Sequence, residues 1–226
     1  MGGTPFNAID ELLRWQLTPT VINAHFAEQL SNVCSQRQQT IPIHVKIDTG
    51  MSRFGLSPSE VEEFFRKITR LKNIFLEGVY THFATADELD QTFLLQQFNL
   101  FQDIIWQLHR NHYDIPLIHT CNSAAAMVLP QAHFNAVRLG IGLYGLAPST
   151  EWVPIFSLNP ALTLKSRVMR ICSLSKGSSI SYGRTYIAPK NIKVALIPIG
   201  YGDGYPSNLS NKGYVLIKGQ IAPILG

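Results

Sequence analysis

The chain has 226 residues, 46% hydrophobic and 15% charged, which suits one sizeable core or one domain plus part of another and excludes a disordered polypeptide. Its formal charge of +4 comes from scattered Lys and Arg residues, which argues against a nucleic-acid surface and fits a small anionic ligand better. Met1-Gly-Gly-Thr-Pro-Phe lacks the features of a signal peptide, no stretch reaches the ~18 apolar residues of a membrane span, and Cys34, Cys121 and Cys172 show no metal or CxxC spacing. A soluble, cytoplasmic protein with free thiols, and with neither a membrane nor a nucleic-acid partner, is expected.

Thr4 to Trp15 reads as a helix, with Thr4 or Asn7 as cap, Pro5 in the first turn, and Ile9, Leu12 and Leu13 at helical spacing. Leu17 to Ile22 reads as a short strand and His25 to Arg37 as a helix. In the next strand, Ile43, Val45 and Ile47 alternate with His44, Lys46 and Asp48 before a Thr-Gly break. Ser57-Pro-Ser-Glu60 predicts a capped helix through Leu71, with Val61, Phe64, Phe65 and Ile68 on its inner face. A strand from Glu77 to Phe83, a long amphipathic helix from Gln91 to His112, and a strand from Pro116 to Thr120 follow. Asn122-Ser-Ala-Ala-Ala opens a short helix, and Ala136 to Leu139 makes one more strand.

Strand and helix alternate to Gly145, which predicts parallel strands joined by helical crossovers, as in a doubly wound sheet or a (β/α)8 barrel. About five strands are visible, too few for a barrel to close, so the unpaired edges predict aggregation or marginal stability. Pro148 to Pro160 reads as a linker. Beyond it, Ala161 to Ser173, Ile192 to Pro198 and Gly213 to Pro223 read as β-strands with no helix between them. The expected fold is α/β: a partial barrel over residues 1–150, then the start of a mainly β domain over 151–226.

Several side chains carry chemistry if the barrel expectation holds, because barrel enzymes work at the carboxyl ends of their strands. The strand through Ile47 delivers Lys46, Asp48 and Arg53 there, although solvated charges on an edge strand are the bland alternative. Ser123, just past a strand at a helix start, and Gly140 with Ile141, after the next strand, suit an anion such as phosphate. Asn-Ser-Ala-Ala could equally be an ordinary cap. Arg138 sits between Val137 and Leu139 and should face the interior, either towards a ligand or in an ion pair with an acid such as Asp48. His82 could be a core histidine, and Tyr182 an aromatic turn residue. The seven histidines show no metal-ligand spacing.

Five segments together strongly resemble the alanine racemase family. They are Ile43 to Gly55, Tyr80-Thr-His-Phe-Ala-Thr-Ala-Asp87, His119-Thr-Cys-Asn-Ser-Ala-Ala125, Val137 to Gly145, and Ser181-Tyr-Gly-Arg-Thr-Tyr186, which run in family order over nearly the whole chain. The resemblance implies pyridoxal 5'-phosphate as cofactor, a barrel of fold type III, a homodimer when full length, and interconversion of L- and D-alanine by two bases, supplying D-alanine for peptidoglycan. It implies that Ser123, Gly140 and Ile141 hold the phosphate, Arg138 the pyridine nitrogen, and that His82 lies against the ring. By the same resemblance Tyr182 is a catalytic base, Arg53 pairs with the substrate carboxylate, Lys46 carries a carbamate, and Asp87 and Tyr201 line the substrate entrance.

The family's lysine-bearing Lys-Ala-Asn-Ala-Tyr-Gly-His-Gly type motif has no match among these residues or their nine lysines, so this chain alone is expected to be inactive. Three alternatives share parts of the pattern: a racemase of serine or another small amino acid, a one-domain cofactor-homeostasis protein, and a truncated non-catalytic paralogue.

Overall fold

A computed structural model describes residues 2–149 and 157–226, which form two compact units, Met1–Leu162 and Thr163–Gly226. The expected boundary near residue 150, and most of the expected linker, lie outside the described residues.

In the first unit, helices α1 (Ile9–Arg14), α2 (Ala24–Gln36), α3 (Val61–Ile68), α4 (Thr92–Arg110) and α5 (Ser123–Val128) alternate with strands β1 (Ile41–Lys46), β2 (Ile74–Tyr80) and β3 (Leu117–His119). The strands pair in parallel in the order β1-β2-β3. A parallel bridge from Thr20 to His44 extends the sheet on one side, and one from His119 to Ala136 extends it on the other. The two outermost of the five expected strands are thus single bridges. Pro19 contributes only its carbonyl to β1, which leaves the pair His44 N to Pro19 O and Val21 N to His44 O to hold that edge. On the other edge β3 is only three residues long, so little ladder is offered to Ala136.

The helices sit where their sequences allow a start. Asn23 caps α2 by accepting from Phe26 N at 3.0 Å, and Ser57 and Glu60 form a capping box ahead of α3. One face of the sheet is apolar: Ile41, Ile43, Val45 and Ile47 from β1 and its exit join Ile74, Val79 and Ile118 against Leu12, Leu30, Phe65 and Ile105 of the helices. The opposite face carries His44, Lys46, Tyr80 and His119.

The second unit is β-rich. Strands β4 (Arg170–Leu174), β5 (Ser179–Ile180), β6 (Tyr186–Ile187), β7 (Ile192–Leu196), β8 (Tyr214–Ile217) and β9 (Gln220–Pro223) form three antiparallel pairs, β4-β7, β5-β6 and β8-β9. The strand expected over Ala161 to Ser173 begins only at Arg170, because β7 offers five residues to pair with and the stretch before it has no ladder partner. The strand expected over Gly213 to Pro223 is a hairpin turning at Lys218-Gly219, both at positive φ.

Candidate active site

The polar face of the sheet converges on Arg138. Its Nη2 donates to the carbonyls of Thr81 at 2.8 Å and Thr120 at 2.9 Å and to His82 Nδ1 at 3.0 Å. Its Nη1 donates to His119 Nδ1 at 2.8 Å and to the His119 carbonyl at 3.1 Å. The guanidinium also lies 5.1 Å from the Tyr80 ring centroid, and that ring stacks on His119 with centroids 4.7 Å apart. A guanidinium has five N–H groups. Four are spent on this cage, and Nε, which is buried, has no partner.

No carboxylate among the described residues is ion-paired with Arg138, so the interior pair with Asp48 does not form. Asp48 instead folds its own loop, accepting from the backbone N–H groups of Gly50, Ser52 and Arg53 at 2.9, 3.0 and 3.2 Å. Burial pulls its carboxyl pKa up, but those three donors and Lys46 outweigh it and hold it below the usual range. The same loop leaves the Arg53 side chain exposed.

Two neutral histidines flank the cation. Burial and the Arg138 charge, with Lys46 and Arg53 adding to it, lower His82 to about 4. Burial, Arg138 and His44 lower His119 to about 3. Lys46 is only 2% exposed, and its ammonium lies 5.6 Å from the Phe54 ring centroid. Burial and the Arg53 charge lower its pKa, against a weaker opposite pull from Asp48.

Ser123 and Gly140 meet as well. Asn122 caps α5 by accepting from Ala125 N at 2.9 Å, which fixes Ser123 at the mouth of that helix. The backbone N–H groups of Gly140, at 2.8 Å, and Gly142, at 3.2 Å, both point at Ser123 Oγ. Gly142 lies close against this serine: a Cβ there would come within 3.3 Å of Ser123 Cβ and would push aside the flexible end of Met127, 2.7 Å away. Ile141 follows in the same turn with its side chain 45% exposed.

Arg138, His82, Lys46, Ser123, Gly140 and Ile141 therefore share the carboxyl end of one sheet, with Arg53 and half-buried Asp87 on its loops. Tyr182 and Tyr201 belong to the second unit and are 84% and 71% exposed. Sequence reasoning gave no role to His44, His119, Glu77 or Gln97. The alternation that placed Lys46 on the polar face places His44 there too, and His119 opens one of the quoted segments. Gln97, on the inner side of an amphipathic helix, gives no signal in sequence.

A parallel sheet with a caged cation and two backbone amides gathered on one serine at the carboxyl ends of its strands is the layout of a barrel enzyme, which keeps its chemistry at that end. Residues 1–148 match the family described as alanine racemase, N-terminal domain, and residues 161–226 match alanine racemase, C-terminal domain. The alanine racemase of Halothermothrix orenii is 40% identical over 215 residues, covering 95% of this chain and 57% of that protein. The solved alanine racemase of Clostridium difficile 630 matches with a TM-score of 0.91 at 35% identity, covering 100% of this chain and 59% of that one. A histidine racemase from Leuconostoc mesenteroides subsp. sake matches with a TM-score of 0.85 at 28% identity, covering 98% of this chain and 59% of that one. The chain belongs to the alanine racemase family. It spans about 60% of the length of the relatives it matches, and it carries part of the family's TIM-like barrel followed by its β-rich C-terminal domain.

Proposed function

We propose that the longer protein of which these residues are the counterpart is an alanine racemase using pyridoxal 5'-phosphate. The observation that carries this is Arg138, a caged guanidinium with one buried donor, Nε, left over. A neutral ring nitrogen would satisfy that donor, and since a guanidinium keeps its protons, it would hold that nitrogen as an acceptor only. The cofactor, when bound, supplies an electron sink that acidifies the α-proton of an amino acid. An unprotonated ring nitrogen makes that sink weaker, which favours simple proton exchange over side reactions.

The chain's own residues divide the remaining work. Ser123 Oγ and the N–H groups around Gly140 and Ile141 receive the phosphate, whose oxygens would take the two amide bonds that Ser123 now accepts. His82 keeps Arg138 in place through its unprotonated Nδ1. Arg53 pairs with the substrate carboxylate, and the exposed phenol of Tyr182 serves as a base on one face of the substrate. Asp87 and Tyr201 line the entrance.

Lys46 fits a carbamate because its lowered pKa favours the free amine, the form that adds to carbon dioxide and then loses a proton. The resulting anion would lie near Arg53. Electron density beyond the Lys46 amine would show it; an unmodified amine at neutral pH and ambient carbon dioxide would dismiss it.

A cytoplasmic homodimer making D-alanine for peptidoglycan completes the reading. A different amino acid is the second possibility, because the match to a histidine racemase shows that this fold serves more than one substrate.

The test is to incubate full-length protein, cofactor and L-alanine in D2O. D-alanine deuterated at the α-carbon should form, and Tyr182→Phe should lower kcat by at least about 100-fold. Cofactor binding without exchange of any small amino acid would overturn the proposal. The 226 residues alone should give no turnover.

A further inference from the structure

Arg138 is one end of a chain of hydrogen bonds that runs across the sheet, away from the site. His119 accepts from Arg138 at Nδ1, 2.8 Å. His119 Nε2 lies 3.0 Å from His44 Nδ1. His44 Nε2 lies 3.0 Å from Glu77 Oε2. A guanidinium can only donate, and an ionised carboxylate can only accept. With these two groups at the ends, both imidazoles must be neutral and carry their proton on Nε2, so that every link has one donor and one acceptor. Either histidine in the other tautomer, or charged, would set two N–H groups against each other.

The backbone is shaped for this chain. The β1-β2 register slips by one residue between Ile43 and His44: Ile43 pairs with Leu76 but His44 pairs with Gly78, leaving Glu77 as an extra residue in a parallel pair. Leu76 and Val79 both pack in the apolar core although they are an odd number of residues apart, which only such an insertion allows. The insertion frees Glu77 from strict alternation and brings its carboxylate to His44. Gly78 then leaves room for the ring, since a Cβ there would come within 2.9 Å of His44 Cε1 and Nε2.

We propose that Glu77 is a positioning residue: Arg138 sets the direction of the hydrogen-bond chain, and Glu77, by accepting its last proton, locks the His44 and His119 rings in place, so that the guanidinium stays anchored with Nε directed to its ligand. Only the identity of that ligand rests on the cofactor reading. Glu77 is also the carboxylate to which the caged cation is connected, at a distance of two imidazole rings.

The experiment is long-range proton–nitrogen correlation NMR on full-length protein labelled with 15N-histidine and prepared without cofactor, with His44 and His119 assigned by single His→Gln variants. Both rings should show an unprotonated Nδ1 and a protonated Nε2 at neutral pH. Glu77→Ala leaves the His44 Nε2–H without its acceptor, so the Nε2 protons of His44 and His119 should exchange faster with solvent and their signals broaden while His82, on the other arm of Arg138, keeps its pattern. Gly78→Ala should do the same by displacing the His44 ring. Glu77→Gln, whose amide oxygen can still accept, should restore the native pattern. A native spectrum with Nδ1 protonated on either ring, or no change in either ring on Glu77→Ala, would overturn the proposal. Should Glu77→Ala fail to fold, Glu77→Asp, whose shorter side chain draws the carboxylate away from His44 Nε2, should show the same faster exchange, and an unchanged spectrum there would equally overturn the proposal. Failure of the unsubstituted protein to bind pyridoxal phosphate would sink the cofactor reading and leave these tautomers unchanged.

Discussion

The two flanking histidines make the site sensitive to acid. A free imidazole takes up a proton near pH 6.5, whereas folded His82 does so only near 4 and His119 only near 3. Between those values the unfolded chain binds more protons than the folded one, so stability is complete above about 6.5 and falls as the pH drops towards 4. His119, 5% exposed, is the stronger case, with a limiting slope of about 1.4 kcal/mol per pH unit. Urea unfolding from pH 7 to pH 4 should show this loss, and His119→Gln should flatten it; equal slopes would show that His119 titrates as freely folded as unfolded. The sequence exposed Arg138 as a cation on an apolar strand, but not its surroundings. What silences these histidines is burial beside Arg138, a product of three-dimensional packing.

At the scale of elements, the site depends on a residue that reaches the expected cofactor-binding residues only through the backbone of His82. Gln97 on α4 is 1% exposed and accepts from Ala84 N at 2.9 Å, while its amide donates to the His82 carbonyl at 3.3 Å and to Thr49 Oγ1 at 3.4 Å. Thr49 in turn bonds Thr81 Oγ1 at 2.8 Å. One helix thus ties the loop after β1 to the loop after β2 and holds His82 at its backbone. Gln97→Leu keeps the volume but strands a buried N–H and carbonyl, so it should cost about 1–3 kcal/mol and speed amide exchange at Ala84. Unchanged exchange there would mean that α4 does not hold the loop.

Ser57 with Glu60 and Asn122 cap where the sequence places them, because those signals are local; neither Thr4 nor Asn7 caps the first helix, whose start passes through a 3-10 turn after Pro5 with no side-chain cap, and Asn23, which the sequence reading left without a role, caps α2. The outer strands were overstated, since a strand needs a partner as well as a pattern. The register slip at Glu77 was illegible for the same reason: it belongs to a pair of strands, not to either one.

Across the whole molecule, the parallel order of strands followed from their alternation with helices, and the family order of five motifs identified the chain's relatives. The relation of Tyr182 and Tyr201 to Arg138 did not follow, because motif order says nothing of how two compact units are set. On the first unit Leu139, Ile141, Leu143 and Tyr144 remain 45–67% exposed. These apolar side chains directly follow Arg138, beside the last bridge of the open sheet, where a closed barrel would cover its edge.

The most direct measurement is a crystal structure of the full-length protein with pyridoxal 5'-phosphate. The phosphate should rest on Ser123 Oγ and the amides around Gly140 and Ile141, with the ring nitrogen accepting from Arg138 Nε. A cofactor bound with its ring nitrogen facing a carboxylate, or its phosphate away from Ser123, would contradict the role assigned here to the caged guanidinium.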